Sequence, residues 1–238
     1  MAVTLSTDRP CTLRHVVRHA PWYTYDTDPE TLIVTLVNIE GVIPARMIQM
    51  AESVQWPTPR LKEEWDHGNY LSGSTEPWNV AVLAALMKAI DARDILECGG
   101  YLGNTSAWLA MTLKEMGGGR FTIIELEADR AMACDAHLSG LPLSTVDWRV
   151  VQDDVFRVLE TIPNESIDFS WVDDCHAKDH VDRELAMLIP KMRQGGIITG
   201  HDVWGSCDLQ EIFAKHGGYS LNTPQLGPAG GIGIIQIR

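Results

Sequence analysis

The chain has 238 residues, 45% of them hydrophobic. That is enough for one substantial α/β domain plus an extension. The formal charge of −13 repels phosphate backbones, and with no local basic patch it argues against a nucleic-acid substrate and for a small molecule. No apolar run approaches the ~20 residues of a membrane span, and the N-terminal MAVTLSTDRPCTLRHVVRH lacks the apolar stretch of a signal peptide. Five cysteines (11, 98, 134, 175 and 207) are odd in number and without a C-x-x-C pair. They read as the reduced thiols of a cytoplasmic protein.

Residues 1–72 lack an α/β rhythm. Asp28 to Asn38 and Ile43 to Val54 have helical apolar spacing, broken between them by Gly41 and Pro44, and Gln55 to Ser74 reads as a loop. This segment is expected to be a helical cap that closes over a site or builds a subunit interface, a homodimer in the second case. Residues 73–238 form the main domain. Trp78 to Ala92 predicts an amphipathic helix, with Val80, Leu83, Leu86 and Met87 as its core stripe. Strands are predicted at 94–98, 121–125, 147–152, 167–173, 195–201, 219–223 and 232–237. Helices between them are predicted at 105–116, 127–139, 155–161, 179–193 and 207–216. Alternating strands and helices imply a doubly wound, mostly parallel seven-stranded sheet. The last two strands have no helix between them and imply an antiparallel C-terminal hairpin.

The segment Ile95 to Ser106, ILECGGYLGNTS, carries the most information. A short apolar strand ends on an acid (Glu97), a glycine-rich turn follows, then a helix, and the next strand ends on a second acid, Glu125. Glycines let a backbone approach a ligand closely, a helix N-terminus offers free N–H groups, and an acid ending the second strand can take two ribose hydroxyls. In the nicotinamide fingerprint G-x-G-x-x-G the second glycine admits a pyrophosphate. Aligned on Gly99, that position is Tyr101, whose ring would crowd one. S-adenosylmethionine (SAM) has no pyrophosphate, so the turn favours SAM. A glycine-rich turn taken alone also fits a purely structural strand-to-helix connection.

In doubly wound sheets ligands sit beyond the carboxyl ends of the strands. Here the third strand brings Asp153 and Asp154, the fourth Asp173, Asp174 and His176, and the fifth His201, Asp202 and Trp204. Aspartates also cap helices, and that reading takes one or two of them, such as Asp174 or Asp208.

These residues carry a family resemblance. From Trp78 to Arg238 the chain resembles class I SAM-dependent methyltransferases, and within them the small-molecule O-methyltransferases. E-x-G-x-x-x-G-x-[ST] matches Glu97, Gly99, Gly103 and Thr105. I-D-G-x-H-x-x-x-x-x-x-x-D followed by L-x-P-G-G-x-x-x-x-H-D is similar to Val172-Asp173-Asp174-Cys175-His176 and to Met192 through His201-Asp202. The resemblance implies that Glu97, Gly99, Tyr101, Gly103 and Thr105 serve the methionine end of SAM, Glu125 the ribose, and Asp154 with Val155 the adenine edge. Asp173 belongs to both the cofactor and the metal. In metal-dependent members three ligands at the ends of strands four and five hold a divalent ion. The matching residues are Asp173, His201 and Asp202, and His201 in place of an acid admits Mn²⁺ beside Mg²⁺. A bland alternative is that His201 only hydrogen-bonds a carboxylate. His176 stands at the spacing where catechol-type relatives place a lysine and is the expected general base, with Lys178 the competitor and capping the next helix or orienting Asp173 the bland alternative.

The implied activity is methyl transfer to a hydroxyl of a small molecule, metal-assisted. The rivals are a metal-free N- or C-methyltransferase and a SAM-binding protein that transfers nothing. His176 and His180, four apart, could share a helix face as zinc ligands, but the zinc-protease helix needs Glu where Ala177 stands. Most tryptophans, Trp22 and Trp56 among them, read as packing, while Trp65, Tyr70 and Trp204 could wall an acceptor pocket.

Overall fold

The computed structural model describes residues 75, 77–203, 206–221 and 231–238. The expected cap at 1–72, the pocket wall of Trp65, Tyr70 and Trp204, and Trp22 and Trp56 lie outside the described residues.

Helix α1 (Pro77–Ala89) opens on proline, whose fixed φ suits a first helical turn. The chain then reverses through Asp91 in the left-handed region (φ 51°) into β1 (Asp94–Cys98). Next come α2 (Asn104–Glu115), β2 (Gly119–Glu125), α3 (Ala128–Ser139), β3 (Val146–Gln152), α4 (Val155–Thr161), β4 (Ile167–Val172) and α5 (Lys178–Leu188). The chain closes with β5 (Met192–Gly200), α6 (Cys207–Lys215), β6 (Tyr219–Leu221) and β7 (Ile232–Gln236). The strand order is β3-β2-β1-β4-β5-β7-β6. β1 to β5 pair in parallel, and β7 runs antiparallel to both β5 and β6. This is the expected doubly wound sheet with antiparallel C-terminal strands.

Alternate side chains of each central strand enter two cores. Ile95, Phe169, Trp171, Ile197 and Ile234 pack with Leu83, Leu86, Ala110, Leu113 and Leu138 of α1, α2 and α3. Leu96, Val172, Ile198 and Ile235 pack with Val158, Leu185, Ile212 and Phe213 of α4, α5 and α6. A parallel sheet covered on both faces reads as continuous apolar runs, and ITG-type segments such as Gly196 to Gly200 do so here.

The largest departure from the expected boundaries lies between α5 and β5. The helix expected over 179–193 ends at Leu188, passes through a 3₁₀ turn (Ile189–Lys191), and β5 starts at Met192. Pro190 has no N–H to continue the α-helix and forces the tighter turn. Because α5 begins at Lys178, His176 precedes the helix and does not share its face with His180.

Candidate active site

The carboxyl ends of β1 to β5 surround a cleft of about 590 Å³. Of the expected residues, Gly99, Tyr101, Glu125, Asp154, Val155, Asp173, His176, His201 and Asp202 line it. Glu97, Gly103 and Thr105 are set back from its wall.

The glycine turn is shaped by its own neighbours. A Cβ on Gly99 (φ 94°) would stand 2.4 Å from the Asp173 carbonyl oxygen, and one on Gly100 would stand 2.6 Å from Ile123. The turn after β1 therefore presses directly against the turn after β4, and only glycine permits it. Tyr101 adopts φ 43° without being glycine. Its N–H donates to Glu125 Oε2 at 2.7 Å, and the Glu127 N–H donates to Oε1 at 2.9 Å. These two bonds fix the plane of the Glu125 carboxylate. Each oxygen keeps acceptor capacity toward the cleft. The Arg130 guanidinium covers the Tyr101 ring at 5.0 Å.

Glu97 is fully buried, and neither oxygen meets a hydrogen-bond partner of normal geometry among the described residues. Burial pushes its pKa well up, Ser106 opposes, and Asp173 and Glu125 add to the rise. Glu97 thus sits beneath the turn as a buried acid. Gly103 is the left-handed residue before α2, and a Cβ there would reach Cys134 Cα at 3.0 Å. Its job is helix packing.

Asp154 caps α4, with Oδ1 accepting from Phe156 N at 2.9 Å. Ser206 caps α6. The capping reading given to Asp174 and Asp208 thus falls to these two residues. Asp174 accepts from its neighbour Cys175 N, and Asp208 pairs with Lys178 at 3.2 Å.

At the other end of the cleft Asp173 is the hub. His201 Nδ1 lies 3.1 Å from its Oδ1, and His176 Nε2 lies 3.6 Å from the same oxygen. Thr75 Oγ1 donates to Oδ2 at 3.2 Å and receives the Thr105 hydroxyl at 2.9 Å. Asp202, in the left-handed region at φ 54°, places Oδ1 3.7 Å from His201 Nδ1 and Oδ2 3.8 Å from His176 Nε2. Donor atoms of Asp173, His176 and His201 all lie within 4.8 Å of one another. Lys178 lies outside the cleft lining, and its ammonium is held by Asp208 and Glu211.

Sequence reasoning missed Thr75 and Arg130. Thr75 sits in a helix-opening segment that reads as a cap, and only the fold brings it to Asp173. Arg130 lies on the first turn of α3, where nothing local distinguishes it from a solvated charge.

Residues 96–203 match the family model described as a methyltransferase domain. No curated protein matches the chain. Among solved structures, the Bacillus cereus O-methyltransferase in complex with S-adenosylhomocysteine is similar at 19% identity and TM-score 0.58, over 80% of this chain and 96% of that one. The Streptomyces achromogenes O-methyltransferase TomG, involved in tomaymycin synthesis and in complex with SAM, is similar at 17% identity and TM-score 0.58, over 89% and 99%. The Podospora anserina methyltransferase PaMTH1, bound to S-adenosylhomocysteine, is similar at 13% identity and TM-score 0.58, over 91% and 99%. Residues 96–203 thus match a methyltransferase domain, within a fold shared with O-methyltransferases solved with SAM or S-adenosylhomocysteine.

Proposed function

We propose that the chain transfers the SAM methyl group to a hydroxyl of a small molecule in the cytoplasm, with a divalent ion assisting. The observation that carries this reading is the convergence of Asp173, His176 and His201 in the same cleft as the backbone-oriented Glu125. A donor cradle and a polar acceptor end thus share one cavity. The descriptions of the Bacillus and Streptomyces relatives as O-methyltransferases support a hydroxyl acceptor.

Glu125 is assigned the ribose hydroxyls, Asp154 and Val155 the adenine edge, and Gly99, Tyr101 and Asp173 the methionine end. Thr105 and Glu97 act from behind the wall, Thr105 through Thr75. The donor set at Asp173 fits a divalent ion: one carboxylate and an imidazole lie at 3.1 Å, with a second imidazole and the Asp202 carboxylate around them. The His201 imidazole in this set suits Mn²⁺ or a similar transition ion beside Mg²⁺, which prefers oxygen ligands in an octahedron. When bound, the ion polarises the acceptor oxygen.

His176 is the base. Its Nε2 takes the acceptor proton, the freed oxygen pair bonds to the methyl carbon, and the C–S bond breaks with its electrons passing to sulfur. S-adenosylhomocysteine and a methyl ether leave, and the imidazolium between Asp173 and Asp202 gives its proton to water. The gain comes from alignment of donor and acceptor and from general base catalysis. One observation favours a second role for His176. Its Nε2 is close enough to Asp173 and His201 to be a third ion donor, and a ligated nitrogen cannot take a proton.

The test incubates the protein with SAM and a panel of phenols, alcohols and amines, with and without chelator. Methyl ethers and S-adenosylhomocysteine that vanish on chelation are expected. Methylated nitrogen or carbon insensitive to chelator would select the metal-free rival. SAM binding without any S-adenosylhomocysteine would select the non-transferring one.

A further inference from the structure

A second cluster of donors stands beside the first and has no part in the proposed transfer. His180 Nε2 lies 2.9 Å from Asp174 Oδ2 and 3.9 Å from Glu184 Oε2. The three donor atoms lie within 4.8 Å of one another. His180 and Glu184 are four apart on α5 and share one face, as helical geometry requires. Val181, Leu185 and Leu188 pack α5 onto the sheet. Asp174 reaches the cluster from the turn after β4, while its neighbour Asp173 turns toward His201.

Glu184 supplies the independent observation. Its side chain is 0% exposed, and neither oxygen meets a hydrogen-bond partner of normal geometry among the described residues. Asp174 and the buried Cys98 thiol are polar neighbours of its carboxyl group. Among the described residues no lysine or arginine pairs with Asp174 or Glu184. The nearby Arg183 guanidinium instead covers the Phe156 ring at 3.9 Å. Two carboxylates, one of them fully buried and the other at the cleft wall, thus meet with one imidazole and, among the described residues, no fixed cation. A bare buried carboxylate is costly, so either a proton or a bound cation must compensate it.

We infer that Asp174, His180 and Glu184 form a second divalent-cation site, taking a transition ion of the Mn²⁺ or Zn²⁺ class. One imidazole nitrogen and two carboxylate oxygens suit such ions. Asp174 and His180 line the cleft, which gives the ion a way in. The ion would tie α5 to the β4 turn that carries Asp173 and His176. This inference does not depend on the identity of the methyl acceptor.

The experiment counts ions on the full chain, untagged, stripped with chelator, loaded with Mn²⁺ or Zn²⁺ and desalted, by elemental analysis and calorimetry. The double variant Asp173→Asn, His201→Ala dismantles the first cluster and is expected to retain one ion. Adding His180→Gln or Glu184→Gln should weaken that ion at least ~10-fold, since even the loss of a residue that only orients a ligand costs ~10–100-fold. His180 is partly exposed and its variant should fold even if Glu184→Gln does not, which circular dichroism checks. The inference is overturned if the double variant holds no ion. It is equally overturned if both additions leave binding unchanged, in which case a proton is what compensates Glu184.

Discussion

Thr75 Oγ1 donates to Asp173 Oδ2 at 3.2 Å, joining the segment before α1 to the end of β4. The same hydroxyl receives Thr105 Oγ1 at 2.9 Å. A relay thus runs from the N-terminal turn of α2, beside the glycine loop, to the carboxylate that faces His176 and His201. Asp173 has one oxygen held by this relay and the other turned to the histidines.

Thr75→Val keeps the shape and removes the donor. Asp173 would lose about 1 kcal/mol of orienting hydrogen bond, and the Thr105 hydroxyl would lose its acceptor. Turnover should fall about tenfold or less while SAM affinity changes little. Thr75→Ser should restore the rate. Steady-state kinetics of the three proteins decides this, and an unimpaired valine variant would show that the relay does not position Asp173.

Glu125→Ala should weaken SAM binding at least tenfold. Hydrogen bonds to a charged group contribute about 1.5–3 kcal/mol each. The variant also strands the Tyr101 and Glu127 N–H groups that now donate to Glu125. Glu125→Gln is the sharper probe, because its amide cannot accept at both ends. Its affinity should fall between wild type and alanine in a calorimetric titration. Equal affinity in all three would remove Glu125 from the cofactor site.

The Asp173 cluster predicts dependence on a divalent ion. Chelation should abolish turnover and Mn²⁺ or Mg²⁺ should restore it, with Mn²⁺ favoured by the His201 imidazole. Asp202→Ala should weaken the ion while SAM still binds. Asp202 is 43% exposed, so this variant should fold normally. Full turnover by metal-free protein, checked by elemental analysis, would leave His201 as a mere partner of Asp173.

His176→Ala should lower kcat by ~10²–10⁴-fold if His176 is the base, with SAM and the ion still bound. Lys178→Ala should be mild, because Lys178 is engaged with Asp208 and Glu211 between α5 and α6. If His176→Ala loses the ion along with turnover, His176 is the third donor. If Lys178→Ala is the crippling change, the base assignment fails.

The fold was legible because its signals are local and periodic. Apolar runs such as Ile95-Leu96 and Ile197-Ile198 marked strands buried on both faces, and acids at strand ends marked one rim of the sheet. Pro190 shows the limit: the apolar pattern through Leu188 and Met192 looks like one helix, and a single missing N–H divides it. The rim residues of the cleft could be named because strand direction alone brings them together. Side-chain depth could not be read, since Glu97 and Glu125 both end strands yet one is buried beneath the turn and the other faces the cleft. The contacts of Thr75 with Asp173 and of Arg130 with Tyr101 depend on packing between segments far apart in the chain. No local pattern encodes those contacts.

His137 offers a test of the packing beneath the glycine turn. It is buried on α3, and its Nδ1 lies 3.2 Å from the Leu102 carbonyl oxygen. Burial lowers its pKa from 6.5 to about 4, with the Leu102 contact opposing. The folded ring is therefore neutral where the unfolded ring would already be charged. Above about pH 6.5 neither state is protonated and His137 exerts no pH effect. As pH falls from there toward about 4 the unfolded state binds the proton first, so stability is lost, and below that range the loss stops growing. Between pH ~7.5 and ~5 the loss should be about 2 kcal/mol. The buried acids Glu97 and Glu184, with raised pKa values, act in the opposite sense, favouring the fold as pH falls. The comparison must therefore be made against a variant. Urea unfolding of wild type and His137→Gln at both pH values isolates the histidine. The wild type should lose about 2 kcal/mol more than the variant on acidification, and parallel curves would show that the ring is not buried neutral beneath the turn.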